Sequence, residues 1–144
     1  MFSRVLLPTD GSDVSLVATD AAIAMAKMAN APLHAVYVVE PYPFTGIGSS
    51  RLAGFDDYMA ASRETGAVAF ERIVQAAAAQ GVRCETLIVE HPQAAAGIVD
   101  AAESLGANLI VMGSHGRSGV ARLVLGSVAT KVLQLSPVPV LIIK

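Results

Sequence analysis

The sequence has no tryptophan, only one cysteine and no strong excess of either charge. Charged residues make up 15% of its 144 residues, and aromatic residues only 5%. With Cys84 alone, an internal disulfide framework is excluded. The formal net charge of -2 creates no overall field that would favour nucleic acid. Hydrophobic residues nevertheless make up 53% of the chain, so the core must be aliphatic and rich in alanine.

Long apolar segments are also missing. No apolar run reaches the roughly 18 residues that a membrane-spanning helix needs. The start of the chain lacks the apolar stretch of a secretory signal. A chain of this length is expected to form one domain, here residues 1–144. We therefore expect a single cytoplasmic domain without a membrane or nucleic-acid partner.

Several common catalytic motifs are absent as well. No G-x-x-x-x-G-K-[ST] segment supplies a phosphate-binding lysine, and no serine lies in a G-x-S-x-G turn. His34, His91 and His115 do not have the spacing of metal ligands. A near match to G-x-G-x-x-G begins at Gly46, but it lies in a long loop instead of a strand-to-helix turn.

The chain does contain five short apolar runs that alternate with helical patterns. Each run is rich in β-branched residues and bounded by Pro or Gly, which is typical of buried strands. The runs cover residues 5–7, 33–39, 82–89, 109–112 and 138–143. The order β-α-β-α-β-α-β-α-β predicts a doubly wound, Rossmann-like α/β fold, with a parallel sheet and helices on both faces.

Apolar spacing predicts which face each of the first two helices buries. The first face comprises Val14, Val17, Ala18, Ala21, Met25 and Met28, after Ser12 as the N-cap. The second face comprises Ala67, Phe70, Val74 and Ala77, and is closed by Gly81. The long irregular stretch 41–56 is either a functional loop or a solvated connector, and Asp56-Asp57 are expected to start the second helix. Pro92 and Gly106 mark the limits of the third helix, and the fourth ends before Pro137.

Pro139 predicts that the fifth strand lies at an edge of the sheet, because proline cannot donate to a central ladder. An apolar edge over Val138–Ile143 is an association hazard unless it is covered. Antiparallel pairing with the same strand of a second chain would cover it with twofold symmetry. We therefore expect a homodimer.

Two segments at the carboxyl ends of predicted strands suggest a ligand site. Residues 8–12 (PTDGS) follow the first strand and residues 113–116 (GSHG) follow the fourth. They meet if these strands are neighbours, as doubly wound orders commonly allow. The start of the fourth helix adds unpaired N–H groups to this site. Ser127 is its expected N-cap, and Gly126 would let an anion approach the backbone. The pattern favours phosphate binding.

The spacing Gly113-x2-Gly116-x9-Gly126-Ser127 resembles the G-2x-G-9x-G-(S/T) signature of ATP-binding universal stress proteins. Residues 5–12 and 136–142 are also similar to that family, so the resemblance spans nearly the whole chain. It implies a five-stranded sheet in the order 3-2-1-4-5, with ATP, ADP or AMP between the first and fourth strands. One departure is Glu90-His91-Pro92, where the family often has Gly, one residue and then Pro.

The resemblance also implies roles for particular residues. Asp10 would contact the ribose or a Mg²⁺ ion held by the phosphates, Thr9 would line the adenosine site, and Val38 would meet the adenine through its backbone. The residues expected around the ribose and phosphates are Gly113, His115, Gly116, Gly126, Ser127 and Val128. The family's homodimer is the one that the edge strand predicts.

Two functions are compatible with this pattern. A phosphate cradle without evident catalytic machinery indicates a nucleotide-dependent stress or regulatory homodimer, whose state a partner protein recognises. The alternative is a slow ATPase or an autophosphorylating enzyme that uses the same site. Asp10 would then hold a metal ion and His115 would stabilise charge.

Overall fold

The computed structural model describes residues 1–41, 50–115 and 124–144, with the backbone but not the side chains of residues 50–53. Within these ranges, five strands alternate with four helices. The strands are β1 (Val5–Pro8), β2 (Leu33–Val39), β3 (Cys84–Glu90), β4 (Leu109–Gly113) and β5 (Val140–Ile143). The helices are α1 (Asp13–Ala29), α2 (Ser50–Ala79), α3 (Ala94–Leu105) and α4 (Ser127–Leu135). All strand pairs are parallel, in the order β3-β2-β1-β4-β5, which confirms the predicted fold and brings β1 beside β4.

The sheet separates two apolar layers. Successive side chains of a strand point to opposite faces, and those of β1 are fully buried on both. Val5 and Leu7 pack on the face that α1 and α2 cover, whereas Leu6 packs on the face that α3 and α4 cover. Burial on both faces explains why the strands of this parallel sheet appear in the sequence as continuous apolar runs.

Helix α1 begins as predicted, but the face it buries overlaps the predicted face only in part. Ser12 is its N-cap and accepts a hydrogen bond from the amide of Ser15. The buried residues are Ser15, Ala18, Thr19, Ala22, Ile23 and Ala26. Of the predicted face, Ala18 is buried, and Ala21 and Met25 pack against the core. Val14, Val17 and Met28 are exposed, so that part of the prediction was wrong. Most of the side chains that α1 buries are small, and Ile23 is the one large side chain among them.

Helix α2 begins at Ser50, so the predicted irregular stretch is helical from that residue onward and the predicted start at Asp56-Asp57 was wrong. Residues 42–49 lie outside the described ranges. The early turns are held by tertiary contacts, because Met59 is buried and Tyr58 packs against the same core. The later turns bury Ala69, Phe70, Ile73 and Ala77, while the predicted Ala67 and Val74 are exposed.

The strand β2 has the predicted bounds, and the other strand boundaries agree with the predictions to within two residues. β3 begins at Cys84, and β5 begins at Val140, directly after Pro139. The predicted edge position of β5 is confirmed, and the carbonyl of Pro139 accepts a hydrogen bond from the amide of Ile110 at 3.0 Å. Gly106 ends α3 with a positive φ of 66°, as expected. Among the described residues, no helix is both long enough and apolar enough to cross a membrane.

Candidate nucleotide site

The carboxyl ends of β1, β2 and β4 open into a cavity of about 410 Å³. The sheet order reverses direction between β1 and β4, and ligands of doubly wound folds bind at such a switch point. The residues predicted from the sequence that line this cavity are Thr9, Asp10, Val38, Gly113, His115, Gly126, Ser127 and Val128. Gly116 lies outside the described residues. The structure therefore brings together segments that are more than one hundred residues apart in sequence.

The first turn of α4 forms one wall of the cavity. Gly126 is the N-cap, and no described side chain caps the helix. The prediction that Ser127 is the N-cap was wrong, because Ser127 is the first helical residue. The amides of Ser127 and Val128 have no acceptor within the helix, as in any first turn. Both residues line the cavity, so the helix offers amide donors and a partial positive charge to a ligand there.

Gly126 makes a close contact within the protein. A Cβ atom there would lie 3.0 Å from the carbonyl oxygen of Ser114, and the amide of Gly126 donates to that oxygen at 2.8 Å. A Cβ on Gly113 would be 3.5 Å from its nearest neighbour, an ordinary contact. From the sequence alone, the missing side chain of Gly126 is expected to make room for an approaching anion. The structure instead shows that it lets α4 start against Ser114.

The loop after β1 is held by short-range hydrogen bonds. Asp10 Oδ1 accepts from the amide of Ser12 at 2.9 Å and from its hydroxyl at 2.5 Å. Thr9 is buried, and its Oγ1 lies 2.9 Å from the Oγ of Ser15. Ser15 also lines the cavity, although the sequence reasoning missed it. The sequence position of Ser15 could have indicated this. Ser15 lies in the first turn after the N-cap Ser12, at the end of the sheet where the β1 loop was expected to bind a ligand.

His115 contributes an imidazole at the end of β4. Its Nδ1 lies 2.9 Å from the Oγ of Ser114, which is itself buried. Its Nε2 is buried and has no hydrogen-bond partner in the described part of the chain. Native structures rarely leave a buried polar atom unpaired unless a ligand, ion or water completes it. His115 therefore fits a site that holds a polar ligand.

Comparison with known proteins places this geometry in a family. Residues 1–144 match the family model described as the universal stress protein family. The chain belongs to this family. A relative, universal stress protein MJ0531 of Methanocaldococcus jannaschii, is 38% identical over 144 residues, covering 100% of this chain and 83% of that protein.

Solved structures of universal stress proteins share the fold. The universal stress protein UspA from Lactobacillus plantarum superposes with a TM-score of 0.87 at 24% identity, covering 99% of this chain and 97% of that one. A universal stress protein in complex with cAMP superposes with a TM-score of 0.74 at 27% identity, with the same coverage of 99% and 97%. One protein that shares the fold of this chain was thus solved as a complex with a nucleotide.

The end of β3 is where the chain departs from the family's Gly-x-Pro pattern. Glu90 forms an ion pair with Arg63 of α2, so the carboxylate ties this rim to the helix that covers it. His91 donates its amide to the carbonyl of Val39 at 3.1 Å, and its Nδ1 accepts from the amide of Gln93 at 2.9 Å. The departure therefore leaves an ordered rim at the start of α3.

Helix α2 forms a wall that the sequence reasoning missed. Tyr58 and Ser62 line the cavity opposite Val38 and Glu40 at the end of β2. The stretch before Asp56 is expected from the sequence to be irregular, and the predicted ligand contacts include no residue of the second helix. On the other side, Gly97 of α3 lies so close that a Cβ atom there would be 3.0 Å from Val38. This end of the cavity is therefore enclosed by two helices and a strand end.

Charge in the cavity comes mainly from acids. Asp10 and Glu40 are among the described lining residues, which include no lysine or arginine. Arg117 and Arg122 lie outside the described ranges. The described residues also include no group of three or more His, Cys, Asp or Glu side chains that could hold a metal ion. An anion in the described cavity would therefore depend on backbone amides, the imidazole of His115 and hydroxyl groups such as that of Ser127, without a lysine or arginine side chain.

Proposed function

We propose that the cavity binds an adenine nucleotide, with its phosphates at the start of α4 and its base at the end of β2. The observation that carries this proposal is the first turn of α4, which has no side-chain cap and lines a cavity at the switch point of the sheet. Helix starts of this kind bind phosphate groups. The complex of a related universal stress protein with cAMP supports a nucleotide as the ligand.

The proposal assigns a role to each end of the cavity. Ser127 and Val128 donate their amides to the phosphates, and Gly126 sets the position of that turn. Val38 meets the adenine through its backbone, within the enclosed end of the cavity. Thr9 lines the adenosine, and Gly113 allows the ribose and phosphates to pass close to the end of β4. Gly116 keeps the phosphate role that the family signature implies.

We propose that Mg²⁺ binds only together with a nucleotide. A triphosphate commonly carries Mg²⁺, which keeps several waters and takes one or two carboxylates as protein ligands. Asp10 is a carboxylate of the cavity and would be that ligand. Its Oδ1 already accepts two hydrogen bonds from Ser12, which hold the carboxylate in place.

We further propose that nucleotide occupancy regulates a cytoplasmic homodimer paired through β5, whose state a partner protein recognises. A hydrogen bond supports a connection between the site and this edge, because the amide of Ser114 donates to the carbonyl of Ile143 at 2.8 Å. Ser114 directly precedes His115 in the cavity. A ligand that shifts the end of β4 would therefore act on β5.

The binding proposal is tested on the native protein in two steps. Mass spectrometry of the purified protein identifies any nucleotide that co-purifies, and calorimetry then measures the affinity of the emptied protein for ATP, ADP, AMP and cAMP. We expect an adenine nucleotide in the first step and saturable binding in the second. A protein that carries no nucleotide and binds none of the four would contradict the proposal.

Regulation and turnover are separated by an assay of phosphate release. For a regulatory protein we expect release from ATP at the background rate, with or without Mg²⁺. Release well above background that is lost on Asp10→Ala would instead establish the slow ATPase. Transfer of labelled phosphate to the protein itself would establish autophosphorylation.

A further inference from the structure

Ser114 connects three parts of the site. It is buried, with 7% of its surface exposed. Its amide donates to Ile143 of β5 and its carbonyl accepts from Gly126 at the start of α4, both at 2.8 Å. Its hydroxyl lies 2.9 Å from Nδ1 of His115. The backbone of Ser114 thus joins β5 to α4, and its side chain is left to interact with the imidazole.

The proton of the Ser114 hydroxyl needs an acceptor, because buried polar groups are almost always hydrogen-bonded. The acceptor that the described structure provides is Nδ1 of His115. A neutral imidazole carries one N–H group and one acceptor nitrogen. If Nδ1 accepts, the proton of His115 resides on Nε2. That atom is buried and lacks a partner among the described residues.

We propose that Ser114 is a positioning residue that holds His115 in the Nε2–H form, so that Nε2 donates a hydrogen bond to an anionic oxygen of the ligand. The inference rests on the proposed function, in which that oxygen belongs to a phosphate. In the opposite form, Nε2 would present a lone pair to the anion and repel it. With no lysine or arginine among the described lining residues, this N–H group is a side-chain nitrogen donor that complements the amides of α4 and hydroxyls such as that of Ser127.

Calorimetry with AMP and adenosine tests the inference, because the two ligands differ in the phosphate. We expect Ser114→Ala to weaken AMP binding by up to about ten-fold, since the substitution removes the neutral hydroxyl–imidazole hydrogen bond that fixes the Nε2–H form. Adenosine binding should stay nearly unchanged. Ser104→Ala is the matched control, because the hydroxyl of Ser104 bonds within α3, to the carbonyl of Asp100.

A second variant separates the role of the hydroxyl from a general loss of structure. In His115→Gln, the side-chain amide replaces the Nε2–H donor and needs no tautomer to be selected. We expect Ser114→Ala to have no further effect on AMP affinity in the His115→Gln background. Equal losses with AMP and adenosine, or additive losses in the double variant, would overturn the inference.

Nitrogen NMR of the imidazole gives a readout that does not depend on any ligand. Long-range proton–nitrogen spectra of the wild-type protein should show His115 with its proton on Nε2. A proton on Nδ1 would overturn the inference even if Ser114→Ala did not fold. If wild-type protein bound no nucleotide, the proposed function would fail, whereas intact binding with an unaffected Ser114→Ala variant would overturn only the role of Ser114.

Discussion

At the scale of single residues, a substitution of Ser127 can test ligand binding separately from helix stability. Gly126 occupies the N-cap position of α4, and no described side chain caps the helix. Ser127 therefore lies in the first turn without supplying the cap. At α1 the situation is reversed, because the side chain of Ser12 accepts the amide of Ser15. The two serines make a matched pair for mutation.

Replacing Ser127 with alanine should weaken nucleotide binding without destabilising the fold, because it removes the Ser127 hydroxyl as a donor to the phosphates but keeps the amide. We expect the free energy of unfolding to change by less than about 0.5 kcal/mol, as for a substitution that removes no cap. Ser12→Ala should cost about 1 kcal/mol through the lost cap. Urea denaturation measures both values, and calorimetry measures affinity. Equal destabilisation by the two substitutions would contradict the assignment of Gly126 as the N-cap.

Gly126 and Gly113 should respond differently to a single methyl group. In Gly126→Ala the new Cβ would lie 3.0 Å from the carbonyl of Ser114, so the start of α4 must shift, at an expected cost of about 1–3 kcal/mol. In Gly113→Ala the nearest atom is 3.5 Å away, and we expect less than about 1 kcal/mol. Thermal or urea unfolding measures the loss of stability in each variant. A Gly113→Ala variant as unstable as Gly126→Ala would contradict this reading.

At the scale of secondary structure elements, β2 and β3 carry a pH-sensitive pair. His34 of β2 lies opposite Glu85 of β3, and its Nδ1 is 3.7 Å from Oε2 of Glu85. His34 is buried, and its Nε2 has no partner among the described residues. Burial lowers the pKa of His34, Glu85 opposes this shift, and Arg4 and Arg83 lower the pKa further. The neutral imidazole is thus the form that the folded protein favours.

The folded protein should lose stability through His34 as the pH falls. Because the pKa of His34 is lower in the folded state than in the unfolded state, the unfolded state binds the proton first, starting near its ordinary pKa of about 6.5. The contribution of His34 is therefore present above that pH and declines below it. We expect unfolding free energies between about pH 8 and about pH 5 to fall less steeply in His34→Phe than in the wild type. Parallel pH profiles of the two proteins would refute this.

At the scale of the whole molecule, the sheet has two edges, β3 and β5. Each edge carries a leucine of similar exposure, 36% for Leu87 of β3 and 37% for Leu141 of β5. An uncovered edge strand is a template for pairing with another chain. The proposed homodimer uses β5, where Pro139 precedes the strand and Ser114 connects it to the cavity.

A lysine on β5 should dissociate the dimer, whereas one on β3 should not. In Leu141→Lys, twofold pairing would bring like charges together across the interface, which is unfavourable. Light scattering at micromolar concentration should give a dimer for the wild type and for Leu87→Lys, and a monomer for Leu141→Lys. A monomeric wild type, or a dimer that tolerates Leu141→Lys, would refute pairing through β5.

The alternation of strands and helices and the location of the site could be predicted without coordinates. Strand runs bounded by Pro or Gly, such as Leu33–Val39, report burial on both faces, which is a local property of the chain. Loops at the carboxyl ends of parallel strands share one edge of the sheet, so the segments containing Asp10 and His115 were expected to meet. The strand order followed from the family resemblance.

Other features depended on contacts between distant segments and could not be predicted from local patterns. Helix α1 buries Ala18 and Ala22 and leaves the larger Val14 and Val17 exposed, because the orientation of the helix on the sheet decides which side chains face the core. The first turns of α2, which carry no clear apolar period, are held by the burial of Met59. Gly126 is needed because Ser114, twelve positions earlier, lies against it. The periodicity of the sequence shows where apolar residues recur. Which of them are buried depends on how each helix lies against distant segments of the chain.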